Sequence, residues 1–186
     1  LNNGFDRSAT VNAVNPGYKA YNRLVDSNFA GPGGGKFVDE YPVEAAPLSG
    51  DVERAKEYLA AAMEELGYSD VSQLPQLELI TWDTSEQKLL LETIIDQWKQ
   101  NLGLENIQLT QYVIGTAIGS FYDLSYDLFS ITWETDVLPT DIMEAMVTGG
   151  EVNYGIWSDA QFDALVEQAI NELDPVKQAE LTAQAE

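Results

Sequence analysis

The chain contains no cysteine and no histidine. The first absence removes disulfides, zinc–thiolate centres and thiol nucleophiles. The second removes the commonest general base and the commonest metal ligand at neutral pH. Neither a serine–histidine nor a cysteine–histidine nucleophile system can be assembled. Carboxylate chemistry, tyrosine or lysine bases, and oxygen-ligated calcium or magnesium remain. Basic residues are also scarce, 9 against 31 acidic ones, for a formal charge of −22. Such a chain repels a phosphate backbone, which excludes nucleic acid as a partner. An acidic field draws cations; the plainer reading is solubility, because the acids are spread over every segment. No run of eighteen apolar residues exists to form a membrane-spanning helix.

What is present describes a globular domain: 186 residues, 45% of them hydrophobic and 10% aromatic, a length that fits one domain. Leu1 follows no initiator methionine, basic segment or apolar signal core. Ala179 to Glu186 reads as helix with no stop. Both ends are therefore expected to be cuts in a longer protein.

Phe5, Ala9 and Ala13, with Val11 and Val14, have helical spacing. Residues 15–50 read as one long irregular loop, punctuated by Pro16, Pro32, the glycines 33–35, Pro42 and Pro47. Asp51–Leu66 is predicted as an amphipathic helix with Val52, Ala55, Tyr58, Leu59, Ala62, Met63 and Leu66 on one face and Gly67 as its stop. Leu77–Trp82 alternates as a strand. Thr84 and Gln87 form a capping box for a helix over Ser85–Leu102, ended by Gly103. Further strands are predicted over Ile107–Ile114 and Tyr126–Trp133, with a short helix around Gly115–Tyr122 between them. The apolar character of Tyr126–Trp133 suits a strand covered on both faces. Helices follow near Pro139–Val147, Asp159–Leu173 and Pro175–Gln184, where Pro175 suits a first helical position. The alternation of strands and helices predicts an α/β fold with a mostly parallel central sheet.

The run Gly31–Lys36 is no phosphate loop. Ala30 stands where the first glycine is required, and Phe37 where serine or threonine is required. No calcium loop has the needed ligand spacing, and no carboxylate pair stands out from the solvated surface. No catalytic residue, metal site or cofactor is expected. Tyr126–Asp136 is the segment of interest. It delivers Trp133 and then Asp136 to the carboxyl end of a strand, the edge where ligands of open α/β sheets bind. Trp133 offers a stacking face, and Asp136 a partner for an ammonium group. The structural alternative is a core tryptophan and a loop acid. Trp82 ends its strand and faces either the same edge or the core. Tyr154 and Trp157 precede a helix, where they border a ligand or simply pack. Trp98, among Ile94, Ile95 and Leu102, reads as core.

Several stretches in order resemble the family-5 extracellular solute-binding proteins, which bind oligopeptides and dipeptides for ABC importers. Phe5-Asp6-Arg7 resembles the Ile-Asp-Arg helix that opens the family's second lobe. Asp51–Tyr68, Leu77–Ser85 and Ile94–Leu104, the last containing Trp98-Lys99-Gln100-Asn101-Leu102-Gly103, resemble three further family stretches. Tyr126-Asp127 with Trp133 and Asp136 is similar to the family's Tyr-Asp…Trp-x-x-Asp-Tyr, and Asn153–Leu165 to its Gly-Tyr-Ser-Asn-Pro-Glu-Phe-Asp-Ala-Leu run. The chain departs from the pattern at Val137–Thr140, where the family has Tyr-x-Asp-Pro, and at Ile156, which replaces a glycine.

The resemblance implies residues 1–186 are one lobe, the second, of a type II periplasmic-binding-protein-like clamp that closes on its ligand. It implies a peptide ligand, an ABC importer permease and a missing first lobe as partners, with no enzymatic activity. The location implied is the periplasm or the outer face of the membrane, there as a lipoprotein. Asp136 matches the family's acid that receives a peptide ammonium, and the candidate ligand-binding set is Trp133, Asp136, Trp82, Tyr154 and Trp157. An oligosaccharide ligand, or a carboxylate-dependent hydrolase, is the alternative. A lobe lacking half of its cleft is expected to bind weakly alone.

Overall fold

Leu77–Trp82 forms strand β1 with the bounds that its alternation predicts. In the computed structural model, which describes residues 1–132 and 138–186, β1 is the middle of three strands. Both β2 (Ile107–Tyr112) and β3 (Leu128–Phe129) run parallel to it, in the order β2-β1-β3. Leu77 faces Ile107 and Trp82 faces Tyr112 on one side; Leu79 and Ile80 face Leu128 and Phe129 on the other.

The crossovers are α4 (Ser85–Leu102) and α5 (Ile114–Asp123). This strand order makes them travel in opposite directions, and a shared right-handed sense then sends their helices to opposite faces. The side chains agree, since residues an odd number apart in a strand point to opposite faces. Leu79 packs with Leu91, Trp98 and Leu102 of α4, whereas Trp82 meets Phe121 of α5 edge-on at 6.3 Å. The α/β class and the parallel sheet flanked by helices are those the sequence predicts.

Around this sheet lies one compact unit, residues 1–22 and 46–132. Its helices α1 (Arg7–Val14) and α3 (Val52–Leu66) are capped by Asp6 and Asp51, whose carboxylates accept Ala9 N at 2.8 Å and Arg54 N at 3.0 Å. Trp98 is core, as predicted, and its indole Nε1 donates to the Leu1 carbonyl at 3.0 Å. Three details differ from the sequence reading. Tyr58, Ala62 and Leu66 are exposed instead of sharing the buried face of α3; the Tyr58 phenol oxygen accepts Arg54 Nε at 3.0 Å. Only the Thr84 half of the capping box forms, because the Gln87 amide donates to Thr132 Oγ1 at 2.9 Å. The strand predicted over Tyr126–Trp133 shortens to Leu128–Phe129.

The second unit comprises residues 23–45 and the described residues 138–186. It holds α2 (Phe37–Glu40), α6 (Asp141–Met146), α7 (Ala160–Asn171) and α8 (Pro175–Ala185). Its core gathers Val25, Phe37, Met143, Phe162, Val166 and Ala179. The stretch 15–50 is thus irregular apart from α2 and one antiparallel bridge, Ala30 to Lys36.

A buried ion pair closes this unit: the Arg23 and Glu186 side chains are 9% and 3% exposed. Glu186 Oε1 also accepts Leu24 N at 2.8 Å and Val25 N at 3.1 Å. Arg23 donates onward to the carbonyls of Val38 at 3.0 Å and Tyr41 at 2.9 Å. Four backbone groups thus converge on the pair where α8 ends. Replacing one partner leaves a buried charge unpaired, which costs about 3–5 kcal/mol. Glu186→Ala is expected to lower stability by that amount in denaturant unfolding, whereas an effect within the range of exposed ion pairs, below about 1 kcal/mol, would show the pair to be incidental.

Candidate ligand-binding site

The parallel sheet sends the ends of β1, β2 and β3 to one edge, and that edge is laced with hydrogen bonds. The Gln111 amide donates to the carbonyls of Trp82 at 3.2 Å and Thr84 at 3.0 Å. Asp83 N donates to the Tyr112 carbonyl at 2.8 Å. Thr81 Oγ1 donates to the Ser130 carbonyl at 2.9 Å, and Ser130 N donates to the Ile80 carbonyl at 3.0 Å. Together with the Gln87–Thr132 bond, these fix the path of residues 130–132 across the carboxyl edge of β1. Trp133 and Asp136, the two residues on which the sequence reading concentrates, lie outside the described residues.

Trp82 stands at this edge, on the α5 face. Its indole joins an aromatic cluster with Phe121, and Phe121 meets Tyr126 at 5.8 Å and Phe129 at 5.3 Å. The sequence reading did not assign Phe121, Tyr126 or Phe129 to the site; four aromatics in the nine residues Phe121–Phe129 were the signal for them. Burial raises the Tyr126 phenol above its ordinary pKa. Trp82 Nε1 is buried with no hydrogen-bond partner among the described residues, and Thr110 Oγ1 is in the same position. Parallel register puts Thr110 opposite Ile80, so Trp82 and Thr110 share one face as diagonal neighbours. Each of these unmet polar groups carries a desolvation cost of about 1–3 kcal/mol until it finds a partner.

Tyr154 and Trp157 belong to the second unit, in the loop before α7. Tyr154 is half-buried. The Trp157 ring packs edge-on against Phe162 at 4.7 Å and stays 44% exposed. Asn153 braces the loop: its amide donates to the carbonyls of Met146 at 3.2 Å, Val147 at 3.1 Å and Trp157 at 2.7 Å, and its Oδ1 accepts Trp157 N at 3.1 Å. Asp159 caps α7 by accepting Gln161 N and Phe162 N, both at 2.8 Å.

The glycine run is closed on its own carboxylate, with Gly33 N and Gly35 N donating to Glu40 at 2.9 and 2.7 Å. Its amides are occupied, in keeping with a turn and not a phosphate loop.

No family model matches the chain. Over 139 residues it is 30% identical to the oligopeptide-binding protein OppA of Bacillus subtilis, a match spanning 73% of this chain and 25% of the relative. It is 28% identical over 134 residues to the dipeptide-binding protein DppE of the same organism, spanning 72% and 24%. The solved structure of Listeria monocytogenes OppA bound to peptide matches all of the chain with a TM-score of 0.83 and 23% identity, over 34% of that protein. The chain is a homologue of the family-5 solute-binding proteins. It spans about a quarter of the length of the curated relatives it matches. Both curated relatives are binding proteins, and the fold is that of a periplasmic-binding-protein lobe.

Ile156 has φ +50° and is 66% exposed. A left-handed conformation costs an L-residue roughly 1–2 kcal/mol, and a β-branched side chain is the least suited to it. Glycine adopts it without that penalty but loses about 0.5–1 kcal/mol of chain entropy. Ile156→Gly is therefore expected to raise stability by up to about 1 kcal/mol in thermal or denaturant unfolding; a loss of stability would show that the loop conformation carries no strain.

Proposed function

We propose that the chain is the second lobe of an extracellular oligopeptide-binding protein that delivers peptides to an ABC importer. The observation that carries this reading is the double match. Nearly three-quarters of the chain aligns with an oligopeptide-binding protein, and its whole length superposes on a peptide-bound relative. The sheet edge adds support: an aromatic cluster around Trp82 stands at the carboxyl end of β1. Extended peptides in such clefts are held through main-chain hydrogen bonds, with loose pockets for side chains, so selectivity is broad.

In this reading Asp136 receives the ligand's terminal ammonium, Trp133 and Trp82 line the cleft from the sheet edge, and Tyr154 and Trp157 border it from the loop before α7. The other wall is a first lobe of the same protein, and the downstream partner is the importer's permease. The protein acts in the periplasm or lipid-anchored on the outer face of the membrane, and as a carrier without catalysis. The lack of histidine and cysteine accords with that role.

A hydrogen bond to a charged group contributes about 1.5–3 kcal/mol, or roughly 10- to 100-fold in affinity. In the two-lobed protein, Asp136→Ala should weaken binding of a free tripeptide by that factor in calorimetry and leave its N-acetylated form unchanged. Unchanged affinity for both peptides would remove Asp136 from the site.

A further inference from the structure

The second unit has sixteen Asp and Glu residues in its sequence against three basic ones, Arg23, Lys36 and Lys177, and Arg23 is committed to Glu186. An open groove of about 380 Å³ runs between the end of α6 and the outer face of α7. Val147, Val166 and Ile170 make its apolar floor, and Glu144, Asp163 and Glu167 stand along it. Neither lysine nor arginine is among the described residues lining it. Asp163 is partly engaged, accepting Thr148 N at 2.9 Å. Beyond the groove the apolar surface continues along the chain: Ile170 is 44% exposed, and Leu173, in the turn between α7 and α8, is 95% exposed.

Floor and walls make different demands on an occupant. A neutral apolar body would cover the floor but strip water from three carboxylates without pairing them. An anion would be repelled. A basic amphipathic segment meets both demands, because lysine and arginine lay their aliphatic stems on apolar surface while their charged heads reach the carboxylates. The net charge of the unit would also steer such a segment in from a distance.

We propose that the α6–α7 groove is a docking site for a basic amphipathic segment of another protein, separate from the ligand-binding edge of the sheet and independent of what that edge binds. The probe is a fluorescently labelled peptide of alternating leucine and lysine, blocked at both ends, titrated against the 186-residue chain by anisotropy. Binding is expected, and the double variant Glu144→Gln/Glu167→Gln should weaken it about tenfold, since two exposed ion pairs together contribute up to about 1.4 kcal/mol. Ile170→Ser should weaken it through the floor. Glu64→Gln/Glu65→Gln removes the same charge from α3 and should have no effect. The proposal is overturned if the wild-type chain does not bind the peptide, or if the α3 variant weakens binding as much as the groove variant. It is equally overturned if the groove variant binds the peptide as tightly as the wild-type chain, or if a leucine–glutamate peptide binds as well. Unchanged thermal unfolding of each variant establishes that the comparison is between folded proteins.

Discussion

The parallel pairing of β1 with both of its neighbours is the constraint from which the first unit follows. A central strand hydrogen-bonded on two sides can bury its side chains only if both faces are covered, and Leu79, Ile80 and Thr81 are all buried. Parallel strands need crossover helices, and the order β2-β1-β3 drives those helices to opposite faces. One helix, α4, then brings Leu91, Trp98 and Leu102 to Leu79. The other, α5, brings Phe121 to Trp82. The same pairing gathers three strand ends at one edge. Trp82, Gln111 and Ser130 meet there because the strands are parallel, and an antiparallel β3 would have sent Ser130 to the opposite end.

The parts of this arrangement that could be read from the sequence are those with local causes. β1 and α4 have the predicted limits because alternation, a threonine cap and a left-handed Gly103 act within a few residues. Trp98 was legible as core because its neighbours share its face. The length of β3 was not legible, because side chains replace part of the ladder. The Asp127 carboxylate accepts Glu78 N at 2.7 Å, and the Thr81 hydroxyl donates to the Ser130 carbonyl. Tyr58 shows the limit of periodicity: it lies on the apolar stripe of α3 but is held outward by its contact with Arg54, four residues back.

The candidate site divides in the same way. Trp82 could be placed at a sheet edge from its position at the end of a strand. Its unmet indole donor beside Thr110 depends on register and on α5, which no local pattern reveals. Asn153 was passed over because its role consists entirely of bonds to the backbone of other turns. Ile156 drew notice only through a resemblance, and the structure supplies the physical reason in its positive φ. Overall charge said little about function; its division does more, since the acids are concentrated against few basic residues in the second unit.

The central claim is that this lobe serves to hold peptides. A ligand that binds the native state stabilises it by RT ln(1 + [L]/Kd), about 2.7 kcal/mol at a hundred times Kd. The direct measurement is a thermal-shift screen of the two-lobed protein against short peptides, oligosaccharides and divalent metals. The account predicts that peptides of many sequences raise the unfolding temperature and that sugars and metals do not. Stabilisation by oligosaccharides but not by peptides, or hydrolysis of the added ligand, would contradict it.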